Sequence, residues 1–448
     1  MDLNKYVYAD NNGTTMMSER VIEKINKWMN KGNASAIYAD AVGITKLIQD
    51  FKERIAYECN FSLGEYNVYI TSGASEANNF ILRSIAKSYI RIQHRKPHFI
   101  VSAIEHKSLL ECAKELESDD KIQLSIINPT QSGIITQKAV AAQIQANTCL
   151  VCVMHANNET GVINEIDQIG PFLENKNPSI PFYVDAVQTF GKFPIDPRGR
   201  RITAFCGSFH KFGGPPGIGV IVLAKNFHEG YKLCSEICGS QNNGMRGGTE
   251  NIPYIGGAHE AIKETFIDRT KKNRDMLAQQ MYVIKHLMKN IPTSKFAEWG
   301  PTEKSACTGI LNYNNTGNPP RVEMIIIGIG ETKDPSLRAS QCLPNTVMLA
   351  FLNHRADSRK ICNYKLQEKL YSKGVIVGLG SACNKGQKSY VLDAMGVPED
   401  VINSTIRISF GDKNEDQDAV IISKQILFSL AELVNESPTT SIIKPNSY

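Results

Sequence analysis

From about residue 65 to 225, short apolar runs alternate with amphipathic stretches. "YNVYITSG", "HFIVSAIEH", "IQLSIIN", "CLVCVMHANN", "FYVDAVQ" and "GIGVIVLA" have the length and β-branched content of buried strands, while "SEANNFILRSIAKSYI" and "SLLECAKELESD" carry helical periodicity. Strands that alternate with helices predict a mostly parallel, doubly wound α/β sheet. Ligands of such sheets lie at the carboxyl ends of the strands. Ser75, Glu76, His106, Asn157, Asn158, Asp185 and Gln188 all fall at those ends. A long helical pattern follows over about 257–290, and beyond it the pattern becomes α+β. The segment from about 300 to 342, with "NYNNTGNPPR" and "GETKDPSLRASQ", reads as an irregular excursion. Its "IIIGIGETK" lacks the full spacing of a phosphate-binding loop and is better read as a strand and turn. The last residues, "ESPTTSIIKPNSY", read as a frayed tail.

Composition refines this picture without changing it. The chain has 448 residues, 42% hydrophobic and 21% charged, which suits a globular protein with a large core and two domains. A net charge of +5 is small for this length and gives no sign of nucleic-acid or membrane binding. Apolar runs such as "GIGVIVLA" are too short to cross a bilayer, and "MDLNKYVYADNNGTT" has no secretory h-region or amphipathic leader, so a cytoplasmic location is expected. The 11 cysteines are scattered, which predicts reduced thiols rather than a disulfide scaffold. Cys149 and Cys152 lie in the apolar run "TCLVCVMH" and read as small buried hydrophobes. Cys234 and Cys238 have the spacing of one helix face, but no second pair completes a zinc site, so no metal is expected.

Several polar residues carry chemistry. Lys211, in "GSFHKFGGPPGIGV", follows a short run and precedes a Gly/Pro loop. A lysine amine forms a Schiff base when burial or a cationic neighbour lowers its pKa. Alone, it would be read as a solvated lysine. Asp185 ends the apolar run "YVDAVQ", where a buried carboxylate requires a partner. A protonated pyridine nitrogen is one such partner, as in pyridoxal phosphate enzymes; a cap on the following helix is the plain alternative. Gln188, one turn on, reaches the same ligand. Ser75, in "TSGASEANN", sits where a strand meets a helix start, which is an anion site or a simple cap. His106 follows a strand and is placed to stack on an aromatic group. Cys383 lies in "GLGSACNKGQ", a loop of small and polar residues where a thiol is accessible rather than buried.

"YADNNGTT", "ITSGASEANN", "EHKSLL", "MHANNETG", "YVDAVQTFGK", "SFHKFGGPPGIG", "GMRGGTEN", "GSAC" and "TIRISFG" occur in the order found in class V aminotransferase-fold enzymes. The chain most closely resembles the NifS-like cysteine desulfurases, from residue 6 to about 411 apart from the 300–342 region. The resemblance implies the pyridoxal-phosphate-dependent transferase fold of type I. That fold has a large domain with a mostly parallel seven-stranded sheet, expected over 16–262, and a smaller α+β domain from 1–15 and 263–448. It also implies roles. Lys211 would bind pyridoxal 5'-phosphate as a Schiff base and move protons. Asp185 would pair with the pyridine nitrogen, Gln188 with the phenolic oxygen, and His106 would stack on the ring. Ser75, Ser208 and His210 would hold the phosphate, and Thr249 would reach the phosphate in the other subunit of a homodimer. Arg407 would clamp the L-cysteine carboxylate as a bidentate fork, with Asn158 also touching substrate. Cys383 would take the sulfur as a persulfide and pass it to an acceptor protein for iron–sulfur cluster assembly or tRNA thiolation, releasing L-alanine.

The chain departs from the family pattern at a few places. "YADNNGTTMM" stands where "YLDNAATTP" is usual, and "GNASAIYADAVG" lacks the expected proline and histidine. Both are expected near the entrance to the site rather than in the chemistry. The loop after Cys383, "NKGQKSYVL", is slightly shorter than the family type. A selenocysteine lyase or an aminotransferase of the same fold is an alternative, although "GSAC" argues against a simple aminotransferase. A non-catalytic sulfur-scaffold protein is a third reading, opposed by Lys211, Asp185, His106, Arg407 and Cys383 standing together.

Overall fold

The structure, a computed structural model, describes residues 5–291, 294–296, 322–328, 341–353, 361–379 and 388–435. Strand β1 (Val7–Ala9) and helices α1 (Glu19–Trp28) and α2 (Ile44–Glu58) come first. A seven-stranded sheet follows, made of β2 (Tyr66–Thr71), β3 (His98–Ser102), β4 (Gln123–Ile127), β5 (Thr148–Cys152), β6 (Phe182–Asp185), β7 (Ala204–Ser208) and β8 (Gly219–Ala224). Helices α3 (Ala74–Gln93), α4 (Lys107–Ser118), α5 (Gln137–Ala141), α6 (Ile166–Lys176) and α7 (Lys225–Tyr231) connect or follow these strands.

The strand order is β2-β8-β7-β6-β5-β3-β4. Strand β8 runs antiparallel to both neighbours, and the other pairs are parallel. Thr71, Ser102, Cys152, Asp185 and Ser208 therefore end on one edge of the sheet. Strands β3, β5, β6, β7 and β8 are buried along their whole length. This is why they read as apolar runs rather than as alternating ones. Strand β7 is the short run ahead of Lys211 and carries a glycine. A Cβ on Gly207 would lie 2.4 Å from the Phe190 ring, so the close packing of that ring requires glycine. Cys149 and Cys152 are buried in β5, whereas Cys234 and Cys238 lie in irregular chain after α7 and share no helix face.

The pattern over 257–290 is two helices, not one. Helix α8 (Ile252–Phe266) ends at Ile267, and α9 (Arg269–Asn290) starts after Asp268, whose φ of 54° is left-handed. The reason is burial. Ile252, Ile255, Ala258 and Ile262 of α8 join the core around the large sheet, whereas Val283, Ile284 and Leu287 of α9 join a second core. A single straight helix would not present its apolar stripe to both.

The second core surrounds a sheet of β9 (Ser294–Phe296), β10 (Val322–Ile327), β11 (Thr346–Asn353) and, after α10 (Asn363–Ser372), β12 (Val375–Val377), α11 (Tyr390–Ala394) and α12 (Glu399–Ile402), β13 (Thr405–Ser409). Helix α13 (Asp416–Asn435) closes it. The order is β13-β11-β10-β9, and β12 pairs instead with β1. The 300–342 segment is thus not irregular throughout, because residues 322–327 of it form a central, buried strand. Apart from Glu323, strand β10 is apolar on both faces, as is most of β11, for a visible reason. Met324, Ile326, Leu349 and Phe351 face the second core, while Ile325, Ile327, Met348 and Ala350 face the first. Cys383, most of the 300–342 segment and the tail lie outside the described residues.

Candidate active site

A cavity of about 460 Å3 opens at the carboxyl edge of the large sheet. Ser75, His106, Asn158, Asp185, Gln188, Ser208, His210, Lys211 and Arg407 all line it. Chain order separates these residues widely; the sheet edge and β13 bring them together. Thr249 does not line the cavity and is exposed.

Asp185 is the last residue of β6 and is buried. Its Oδ2 accepts from Asn78 Nδ2 at 3.1 Å and its Oδ1 from the Val187 N–H at 3.0 Å. Asn78 in turn accepts from the buried Tyr183 hydroxyl at 2.7 Å and donates to Ser108 Oγ at 3.0 Å. Ser108 also accompanies His106, with Nδ1 2.8 Å from Oγ. One asparagine on the second turn of α3 thus joins Asp185 to the loop bearing His106. It lies within "TSGASEANN", and its side-chain amide facing an apolar sheet was the signal available for it.

Lys211 follows β7 in a short helical turn, Phe209–Phe212. Its Nζ donates to the carbonyls of Asn12 at 2.8 Å and Gly13 at 2.7 Å. Burial first, and then the charges of Arg407 and Lys192, push its pKa down to about 8. An amine so placed is readily neutral and nucleophilic. Gln188 Nε2 donates to the same Asn12 carbonyl at 3.3 Å. The "YADNNGTT" segment therefore forms a wall of the chemistry and not merely its entrance, through main-chain oxygens that no side-chain pattern reports. The "GNASAIYADAVG" segment, residues 32–43, by contrast does not line the cavity.

Glu105 was also missed. It is wholly buried, its Oε1 accepts from the Met154 N–H at 2.6 Å and from the Ser102 hydroxyl, and its Oε2 has no partner among the described residues. Burial raises its pKa to about 8, so the carboxyl is mostly neutral at pH 7. A neutral acid next to His106 adds no second negative charge beside Asp185.

These residues fit pyridoxal phosphate. The first N–H groups of the 20-residue helix α3 have no intrahelical acceptor and form an anion site, and a Cβ built on Gly73 ahead of it meets nothing within 4 Å. Ser75, Ser208 and His210 line the same cavity as the start of that helix. Burial and the charge of Lys211 lower His210 to about 4, which leaves it a neutral hydrogen-bonding group. Gln188 Oε1 is buried without a partner, an acceptor that a ligand would satisfy.

Comparison with known proteins gives the family of the chain. Residues 7–327 match the family described as Aminotransferase class-V. The chain belongs to that family. Within it the chain is NifS-like, and enzymes of this kind depend on pyridoxal phosphate. It is 29% identical over 442 residues to a cysteine desulfurase IscS of Methanosarcina thermophila, covering 98% of this chain and 95% of the relative. It is 33% identical over 310 residues to a putative cysteine desulfurase NifS of Bacillus subtilis (strain 168), covering 67% and 73% respectively. A solved structure of a NifS-like protein superposes with a TM-score of 0.77 at 26% identity, over 95% of this chain and 100% of that one. Among the described residues no helix is long and apolar enough to cross a membrane.

Proposed function

We propose that this class V enzyme is a cysteine desulfurase that converts L-cysteine to L-alanine and transfers the sulfur to Cys383. The observation that carries the reading is one cavity joining the low-pKa amine of Lys211 to the buried guanidinium of Arg407. Pyridoxal phosphate, when bound, supplies the electron sink for bond changes at the amino acid's Cα and Cβ. Lys211 holds it through its amine and then carries protons to and from Cα. Asp185, oriented by Asn78, balances the pyridine nitrogen, and Arg407 fixes the substrate carboxylate. The Cys383 thiolate attacks the substrate sulfur: an S–S bond forms, the Cβ–S bond breaks, and alanine leaves after protonation. The persulfide then passes to an acceptor protein in iron–sulfur cluster assembly or tRNA thiolation.

The two cores are read as two domains of one cytoplasmic enzyme, and Thr249, exposed in a single chain, completes the phosphate site of a second subunit. The test is direct. Purified protein incubated with L-cysteine and a thiol reductant should release alanine and sulfide in equal amounts, and Cys383→Ala should retain bound cofactor while losing sulfide release. Undiminished sulfide release by Cys383→Ala would sink the assignment of Cys383, and a monomer in solution would sink that of Thr249.

A further inference from the structure

Arg407 lies on β13 and is 2% exposed, so its charge is nearly removed from water. A buried guanidinium is stable only when paired. Its Nη1 donates to the Asn158 carbonyl at 3.0 Å and its Nη2 to Asp10 Oδ1 at 2.5 Å, while Nε has no partner among the described residues. Asp10 is therefore the carboxylate facing Arg407, and it does not line the cavity, whereas Arg407 does. The pairing comes from behind. Gly378 marks the same side: a Cβ there would sit 2.6 Å from Asp10 Oδ1, 2.8 Å from Nη2 and 3.0 Å from Nε. Gly378 and Arg407 also exchange backbone hydrogen bonds of 2.9 and 2.7 Å. The guanidinium edge made of Nε and Nη2 is thus packed against Asp10 and the bare Cα of Gly378, and with Nη1 and Nη2 each giving one N–H to Asn158 and Asp10, the second N–H of each terminal nitrogen is left for a ligand.

We propose that Asp10 is a positioning residue, which together with the missing side chain of Gly378 aims the Arg407 fork at the substrate carboxylate. This rests on the substrate reading above and extends it to a residue outside the cavity. Arginine has many rotamers, and a fork that must meet a planar carboxylate with two parallel bonds tolerates little rotation. Asp10 supplies both charge and direction, the backbone of β1 and its extension fixes Asp10, and a methyl group on Gly378 would force the pair apart.

The test compares ligands with and without a carboxylate. Holoenzyme is titrated with L-alanine and with ethylamine, following the change in absorbance of the bound cofactor. In Asp10→Ala the apparent Kd for L-alanine should rise about tenfold or more, as misplacement of a positioned group does, with that for ethylamine unchanged. Asp10→Asn, which keeps an oxygen acceptor but not the charge, should fall between, and Gly378→Ala should behave like Asp10→Ala. Melting temperatures of all three in the same buffer identify a variant that fails to fold, in which case Asp10→Asn decides. Equal weakening of both ligands, or none of either, in a folded variant would overturn the proposal. Because neither ligand carries sulfur, the result stands apart from the desulfurase assay, whose failure would refute the substrate reading alone.

Discussion

At the sheet end of the cavity, Asp185, Asn78, Ser108 and Tyr183 satisfy one another through side-chain hydrogen bonds before any ligand arrives. At the Arg407 end, Asn158 Oδ1 and Arg407 Nε are buried without partners among the described residues, and the guanidinium is held by Asp10 and a main-chain carbonyl. The two ends also differ in origin. The sheet end is assembled from strand ends and the first two turns of the helices that follow, each local to one motif. The Arg407 end draws Asp10, Asn158, Gly378 and Arg407 from four separate parts of the chain. A permanent cofactor is served by a side-chain network that fixes Asp185 in advance, with Gln188 Oε1 left to meet it. A substrate that comes and goes is served by groups kept in place from behind, with capacity left over.

That contrast can be broken from either end. The largest effect is expected from Lys211→Ala, which should abolish the absorbance of lysine-bound cofactor and cut turnover by about a thousandfold or more, since both attachment and proton transfer are lost. Survival of either signal would remove Lys211 from the centre. Next comes Arg407→Lys. It keeps the charge but loses the fork, and kcat/KM for L-cysteine should drop roughly a hundredfold with cofactor absorbance intact. A parallel loss of cofactor would show that the two ends are not separable.

Asn78→Ala should act at the sheet end only. It leaves the Tyr183 hydroxyl without its acceptor and Asp185 without one donor, which is expected to cost about 1–3 kcal/mol of stability. Denaturant unfolding gives that number directly, and cofactor should dissociate faster as well. A variant as stable as the parent would mean that water replaces the amide.

The smallest effect is a pH slope. Folding raises the Glu105 pKa from 4.5 to about 8, so the folded state holds a proton that the unfolded chain gives up. Its contribution to stability is full below pH 4.5 and is lost as pH rises through 8. Thermal unfolding of Glu105→Gln from pH 5 to 9 should therefore decline less steeply with pH than the parent. Parallel curves would show that Glu105 is ionised in the folded protein.

Much of the sheet end was legible because parallel strands place their chemistry at their own carboxyl ends. A polar residue that closes an apolar run, such as Asp185, reports its place without further help. The α8–α9 break was not legible. The apolar spacing continues through Ile267, and only the presence of two cores shows why the chain turns at Asp268. Strand β10 was legible only in the "III" at its end, because the polar, Gly/Pro-rich chain around it masks a strand whose five apolar residues are buried on both faces.

The sequence by itself determined the sheet, the set of reactive side chains and the family, since periodicity, residue type and motif order are properties of the chain. Tertiary structure alone decided that Asn12 and Gly13 receive Lys211 through carbonyl oxygens, that Asn78 orients Asp185, and that Asp10 stands behind Arg407. Those contacts join residues up to 397 positions apart, and the two at Lys211 use backbone oxygens common to every residue, so their meaning arises only when folding brings them within reach.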